Sequence, residues 1–225
     1  ARELPEKLAE LQNRWWEEAE RHGVLPLVDR TLQLFGARFR PRSPHPADRR
    51  YVYRPPMSPM PGGPSAAIAG RAFDLTARVT RSAGDEGVLY ATGTQNSGVS
   101  IFVQDGRLVV DYNAFDDHTV VESNAPLPEG ESTLMVSVRR GPKRTGSIRL
   151  AVDGEPAGET HLPFFMSMMS SVGPSIAEDH GSPVSTRYEA PFPFAGKLHE
   201  IQIQLLSREQ AEAQDAEVRA EMSRQ

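Results

Sequence analysis

From Phe73 onward the chain keeps a period of two. Phe73, Leu75, Ala77 and Val79 alternate with Asp74, Thr76, Arg78 and Thr80. Successive side chains of a strand leave on opposite faces, so this pattern makes one apolar face and one polar face. The alternation returns in residues 132–139 with Leu134, Val136 and Val138. It recurs at Ile148, Leu150 and Val152, and again at Leu198, Ile201, Ile203 and Leu205. Residues 88–92, 99–104, 107–112 and 158–162 read as further strands. Asp105-Gly106 and Asp153-Gly154 predict tight hairpins, because both positions of such a turn accept positive φ. About seven to ten short strands with turns and no helices between them predict a mainly β, antiparallel sandwich. A parallel α/β sheet is excluded.

The flanks obey other rules. Over residues 4–22, Leu8, Leu11, Trp15 and Ala19 recur at helical spacing, with Trp16 beside them and Glu10, Arg14, Glu17 and Arg21 opposite. Pro5 suits a first turn and Gly23 a stop. Residues 24–67 are rich in prolines such as Pro41, Pro44, Pro46, Pro55 and Pro59, interleaved with arginines. Each proline removes a backbone donor and fixes φ. The segment therefore reads as an extended strap, with a short turn near residues 29–35 and Tyr51, Val52, Tyr53, Met57 and Met60 as pins. Ser207 and Gln210 have capping-box spacing, so the alanine-rich tail reads as a surface helix. The predicted organisation is a helical segment over residues 1–35, the strap over 36–70, the sandwich over 71–206 and the C-terminal helix over 207–225.

Composition narrows function by exclusion. The net charge of −5 argues against a nucleic-acid partner. No apolar run approaches the ~18 residues of a membrane span. With no cysteine there are no disulfides, no thiol nucleophile and no Cys-ligated zinc. The lack of cysteine and of a leader-like start leaves the compartment open and fits a cytoplasmic setting. Gly-x-Ser-x-Gly, Ser-x-x-Lys and Gly-x-Gly-x-x-Gly are all missing. Two runs, Asp116-Asp117-His118 and Glu178-Asp179-His180, have ligand-type side chains, yet neither has calcium-loop spacing, and solvated loop charge is the expected role. Residues 139–144 form a basic hairpin loop, expected to stay wet and blunt an edge. Phe164, Phe165, Met166, Met168 and Met169 are expected to face the core.

Several segments together carry a family resemblance. Pro5-Glu6-Lys7-Leu8, Trp15-Trp16-Glu17-Glu18-Ala19 and His22-Gly23-Val24-Leu25-Pro26-Leu27-Val28-Asp29-Arg30 resemble the end of the catalytic part of bacterial arylsulfatases. That family has Asp where Val28 stands. Arg50-Tyr51-Val52-Tyr53-Arg54-Pro55, Asp153-Gly154-Glu155-Pro156, Gly181-Ser182-Pro183-Val184-Ser185, Tyr188-Glu189-Ala190-Pro191-Phe192 and Phe194-Ala195-Gly196-Lys197-Leu198 resemble its C-terminal extension. The sandwich also resembles a concanavalin A-like or laminin G-like jelly roll.

The resemblance implies an accessory, structural domain of an arylsulfatase, a sulfuric ester hydrolase whose catalytic domain lies outside this chain. Such enzymes use a formylglycine made within Cys/Ser-x-Pro-x-Arg and a calcium site. This chain has neither a cysteine nor a serine in that motif. No catalytic or metal residue is therefore assigned, calcium is expected only in the catalytic domain, and the chain alone is expected to be inactive. Leu8, Leu11 and Trp15 are expected to contact neighbouring structure. The loop 178–188 is expected to face the active-site cleft, with Asp179, His180 and Tyr188 supplying polar contacts. The alternative is a free-standing module for a carbohydrate or sulfated ligand, using Tyr112, Phe115 and nearby acids. A sandwich glycosidase is the third reading.

Overall fold

Both Asp-Gly pairs turn as their chemistry demands: φ is 51° and 69° at Asp105 and Gly106, and 50° and 88° at Asp153 and Gly154. Around them the computed structural model describes residues 4–24, 48–55, 57, 59–167, 169, 172–207 and 210. These belong to two compact units, Ala1–Pro44 and His45–Gln225.

The first unit contains helix α1, Pro5–Arg21, with Pro5 in its first turn. Gly23 ends it at φ 64°. The Val24 amide donates to the Ala19 carbonyl at 2.8 Å and the Gly23 amide to Glu20 at 3.2 Å, the pairing of a Schellman stop. Ala19 is buried, whereas Leu8, Leu11, Trp15 and Trp16 are 41%, 54%, 46% and 53% exposed.

Among its described residues the second unit has eleven strands in two antiparallel sheets. They are β1 (Arg50–Tyr53), β2 (Phe73–Arg81), β3 (Gly87–Thr94), β4 (Ser97–Gln104), β5 (Arg107–Asn113), β6 (His118–Glu122), β7 (Gly130–Arg140), β8 (Gly146–Val152), β9 (Glu155–Leu162), β10 (Ser175–Ile176) and β11 (Lys197–Leu205). The six-stranded sheet runs β1-β11-β2-β7-β8-β9 and the five-stranded sheet β10-β3-β4-β5-β6. Leu75, Ala77, Leu134, Val136, Ile148, Ile201 and Ile203 of the first sheet share one buried cluster with Leu89, Val99, Ile101, Leu108 and Val110 of the second. The expected antiparallel sandwich is thus the observed fold.

Several expectations are corrected. Residues 50–53 are a regular edge strand within the expected strap: Tyr51 and Tyr53 are buried, as pins would be, and stack at 6.3 Å, Val52 and Met57 are exposed and pin nothing, and β1 pairs with β11 in the register Tyr53↔Ile201. Four residues are too short a run to reveal that alternation against a proline-rich background. His118, read as part of a charged loop, begins strand β6. β9 starts directly after its turn and includes Pro156, which an edge strand tolerates because one side of it needs no donor. Arg139 is not a wet loop residue. It is buried, and its guanidinium meets the Asp74 carboxylate at 2.7 Å, with Ser137 donating to the same oxygen. Only the tip is irregular, a 3-10 turn over Pro142–Arg144.

Phe165 and Met166 are buried as expected, and the Met166 amide donates to the Tyr112 hydroxyl at 2.9 Å. Ser207 and Gln210 form the reciprocal capping bonds. The rest of the expected C-terminal helix, Met168 and the turn near residues 29–35 lie outside the described residues. Among the described residues no helix is long and apolar enough to cross a membrane.

Candidate functional site

β4 and β5 are buried on both faces, their patterns nearly unbroken. The inner face meets the other sheet. The outer face is covered by the chain between β10 and β11, residues 177–196. Val184 and Tyr188 of this cover join Val88, Ala91, Phe102 and Val109 in a second apolar cluster, with Phe192 packed against it. Tyr188 meets Phe102 edge-on at 5.0 Å and stacks on Phe192 at 5.2 Å. Two glycines permit the close approach. A Cβ at Gly87 would strike the Pro193 carbonyl, and one at Gly98 would meet the Thr92 carbonyl and crowd Val184.

Irregular chain satisfies its backbone only in part, as where the Asp179 amide donates to the Pro191 carbonyl at 2.7 Å, so polar side chains share that work. The Tyr188 hydroxyl donates to Asp179 Oδ2 at 2.5 Å and accepts from the Ser100 hydroxyl at 2.7 Å. The Val184 amide donates to the same Asp179 oxygen at 2.8 Å. Burial raises the Asp179 pKa, with the Tyr188 and Val184 hydrogen bonds pulling it back. Burial, followed by the neighbouring Asp179 charge, pushes the Tyr188 hydroxyl far above its ordinary value. At the other side of the cover, Arg187 bonds Gln104 at 3.0 Å and pairs with Glu122.

Where the cover passes the β3–β4 turn it leaves a cleft of about 570 Å³. Gln95, Asn96, Asp116, His118 and residues 183–186 and 188 line it. Asn113 ties its walls together from beneath. Its buried amide donates to the Gln95 carbonyl at 2.7 Å and to the Val184 carbonyl at 3.1 Å, and its oxygen accepts from the Asp116 amide at 2.9 Å. His118 Nδ1 lies 2.9 Å from both oxygens of Asp111, a carboxylate with no exposed surface. A carboxylate only accepts, so Nδ1 carries the hydrogen of this contact and Nε2 is the nitrogen left for the cleft.

The structure brings Asp179 and Tyr188 together, but turned toward each other rather than outward. His180 is exposed, and its amide donates to Ser175 Oγ at 3.3 Å. Neither charged run is simply solvated loop, since Asp179 and its own cover are packed and His118 is paired. Tyr112 is 1% exposed, so it has no face for a ligand to stack on, whereas Phe115 is 58% exposed. Among the described residues no three His, Asp or Glu side chains gather to hold a metal ion. Asp111 and Ser100, and the tying role of Asn113 beside the first charged run, were missed by sequence reasoning. Their signal is weak: polar residues within strands whose apolar residues run on consecutively, as in Ile101-Phe102-Val103 and Leu108-Val109-Val110.

No family model matches the chain, and no curated protein matches it in sequence. Solved structures with a similar fold include domains LG4-5 of the mouse laminin alpha1 chain, at 18% identity and TM-score 0.47 over 72% of this chain and 41% of that one. Another is the NanB sialidase of Streptococcus pneumoniae, at 16% identity and TM-score 0.48 over 63% of this chain and 23% of that one. A third is the galectin LEC-6 of Caenorhabditis elegans, at 11% identity and TM-score 0.41 over 68% of this chain and 94% of that one. The chain therefore spans less than half the length of the laminin and sialidase chains it matches.

Proposed function

We propose that this chain is an accessory β-sandwich serving a sulfuric ester hydrolase of arylsulfatase type. The observation that carries the reading is α1. Leu8, Leu11, Trp15 and Trp16 are all more than two-fifths exposed. An apolar helix face of this kind marks an interaction site. Its sequence is the part that resembles the end of a sulfatase catalytic region, which names the occupant: the catalytic domain itself. The other segments of the resemblance, Gly181 to Ser185, Tyr188 to Phe192 and Phe194 to Leu198, support the reading from the second unit, where they make up the cover and the start of β11.

The test is hydrolysis of p-nitrophenyl sulfate by this chain alone, and by a sulfatase catalytic polypeptide of the same genome with the chain added or joined. The expected outcome is silence alone and a gain in activity or melting temperature together. Trp15→Asp should weaken the association at least ~tenfold, as loss of an aromatic anchor does. Turnover by the isolated chain, or a gain indifferent to Trp15→Asp, overturns the proposal.

A further inference from the structure

Docking on an enzyme makes no use of the pair Asp111 and His118. Asp111 follows Leu108-Val109-Val110 on β5, and its side chain has no exposed surface. A buried carboxylate is costly unless it is paired. Both its oxygens lie 2.9 Å from His118 Nδ1, and the His118 side chain keeps 18% of its surface, at the cleft. The strand therefore spends a buried charge on orienting one imidazole. With its hydrogen held on Nδ1 from behind, the neutral ring presents the lone pair of Nε2. A base oriented by a buried carboxylate is one half of a hydrolytic site. The walls supply the setting: the Gln95 turn, the Val184 segment and the Asp116 loop all hang on the buried Asn113, which fixes them before any substrate arrives. Gln95 and Asn96 line the cleft and carry carboxamides that can donate to a developing oxyanion.

Charge selects the substrate class. No lysine or arginine is among the lining residues, whereas Asp116 is. A sulfate or phosphate ester would arrive as an anion, with no cation to offset its desolvation and one carboxylate to repel it. A glycoside needs two carboxyl groups flanking its bond, and Asp111 is committed to the imidazole. A neutral carboxylic ester meets neither obstacle. Its product acid ionises, and Asp116 then repels it from the cleft.

We propose that this cleft hydrolyses small uncharged carboxylic esters, with His118 as general base and Asp111 as its positioning residue. Nε2 takes a proton from a water as the water oxygen bonds to the ester carbon and the carbonyl electrons move onto oxygen. The carbonyl then re-forms, the bond to the leaving oxygen breaks, and that oxygen takes the proton back from Nε2. The reaction stands apart from the sulfatase reading, because the isolated chain and a neutral ester report it whether or not the chain serves another enzyme. The probes are p-nitrophenyl acetate, p-nitrophenyl butyrate and the less activated phenyl acetate, each given to the full chain near neutral pH. Saturable hydrolysis of at least one is expected. His118→Gln, at a partly exposed position, should lower kcat/KM at least ~100-fold, the contribution of a positioned base. Asp111→Asn, checked for an unchanged fold by its amide NMR spectrum, should lower kcat about tenfold or more with KM held, a split that a merely structural role does not produce. The proposal is overturned if no probe is hydrolysed above the buffer rate, if the rate never saturates, or if it survives His118→Gln. It is equally overturned if p-nitrophenyl sulfate is hydrolysed as fast as the acetate, since the cleft then accepts anions.

Discussion

On its inner face the five-stranded sheet meets another sheet; on its outer face it meets irregular chain. Inside, Val99, Ile101, Leu108 and Val110 share a cluster with Leu75, Leu134 and Ile203, and the partner strands satisfy their own backbone groups through their ladder. Outside, Phe102, Ala91 and Val109 are covered by Val184, Tyr188 and Phe192. That cover has no continuous ladder; scattered backbone bonds, such as those from the Val88 amide to Phe192 and from the Ala195 amide to Glu86, are supplemented by Asp179, Ser100 and Asn113. One face needs only volume and pattern. The other needs particular polar atoms in particular places, and it is there that a cleft forms.

The largest effect is expected from the inner face. Ile101→Ala should cost about 3 kcal/mol, the sum of lost burial and an unfilled cavity. Urea unfolding should show the loss in every probe at once, because the inner cluster spans both sheets. A change confined to the outer cover would break the comparison.

Alkaline pH comes next. Burial pushes the Tyr112 hydroxyl up to about 12, and Tyr90 and Tyr188 are also raised. A raised pKa means that the folded state holds the proton more tightly than the unfolded chain. The stability this provides is complete below the ordinary tyrosine value near 10 and is lost as pH climbs through the raised one. The loss should run at roughly 1.4 kcal/mol per pH unit for each tyrosine still protonated. Melts between pH 9 and 12, with tyrosinate absorbance read alongside, check it. Buried tyrosines should ionise together with unfolding; ionisation well ahead of unfolding would contradict their burial.

The smallest effect belongs to the fastening. Tyr188→Phe keeps the ring stack on Phe192 and removes only the hydroxyl shared by Asp179 and Ser100. The expected cost is about 1–2 kcal/mol, that of buried polar partners left short of a hydrogen bond.

The same division separates what could be read in the sequence from what could not. The strands of the inner core announce themselves through period two, and both Asp-Gly hairpins through their turn chemistry, because each signal is local. β1 and β10 are too short to establish a period, and β6 opens on His118 behind two aspartates that look like loop. The expected site residues Asp179 and Tyr188 do meet, nine positions apart in sequence, but their common partner Ser100 lies on β4. His118 finds Asp111 across a strand pair that the sequence did not reveal. Contacts that depend on which strand lies beside which leave almost no trace in a single chain.

Hydrogen exchange on the wild-type chain and Tyr188→Phe, followed peptide by peptide, tests the central claim most directly. If the outer cover is held by its own polar fastening, protection should fall across residues 177–196 and at the cleft-lining Gln95 and Asn96, while β2, β7 and β8 exchange as before. Equal loss of protection throughout the sandwich, or no change in the cover, would contradict it.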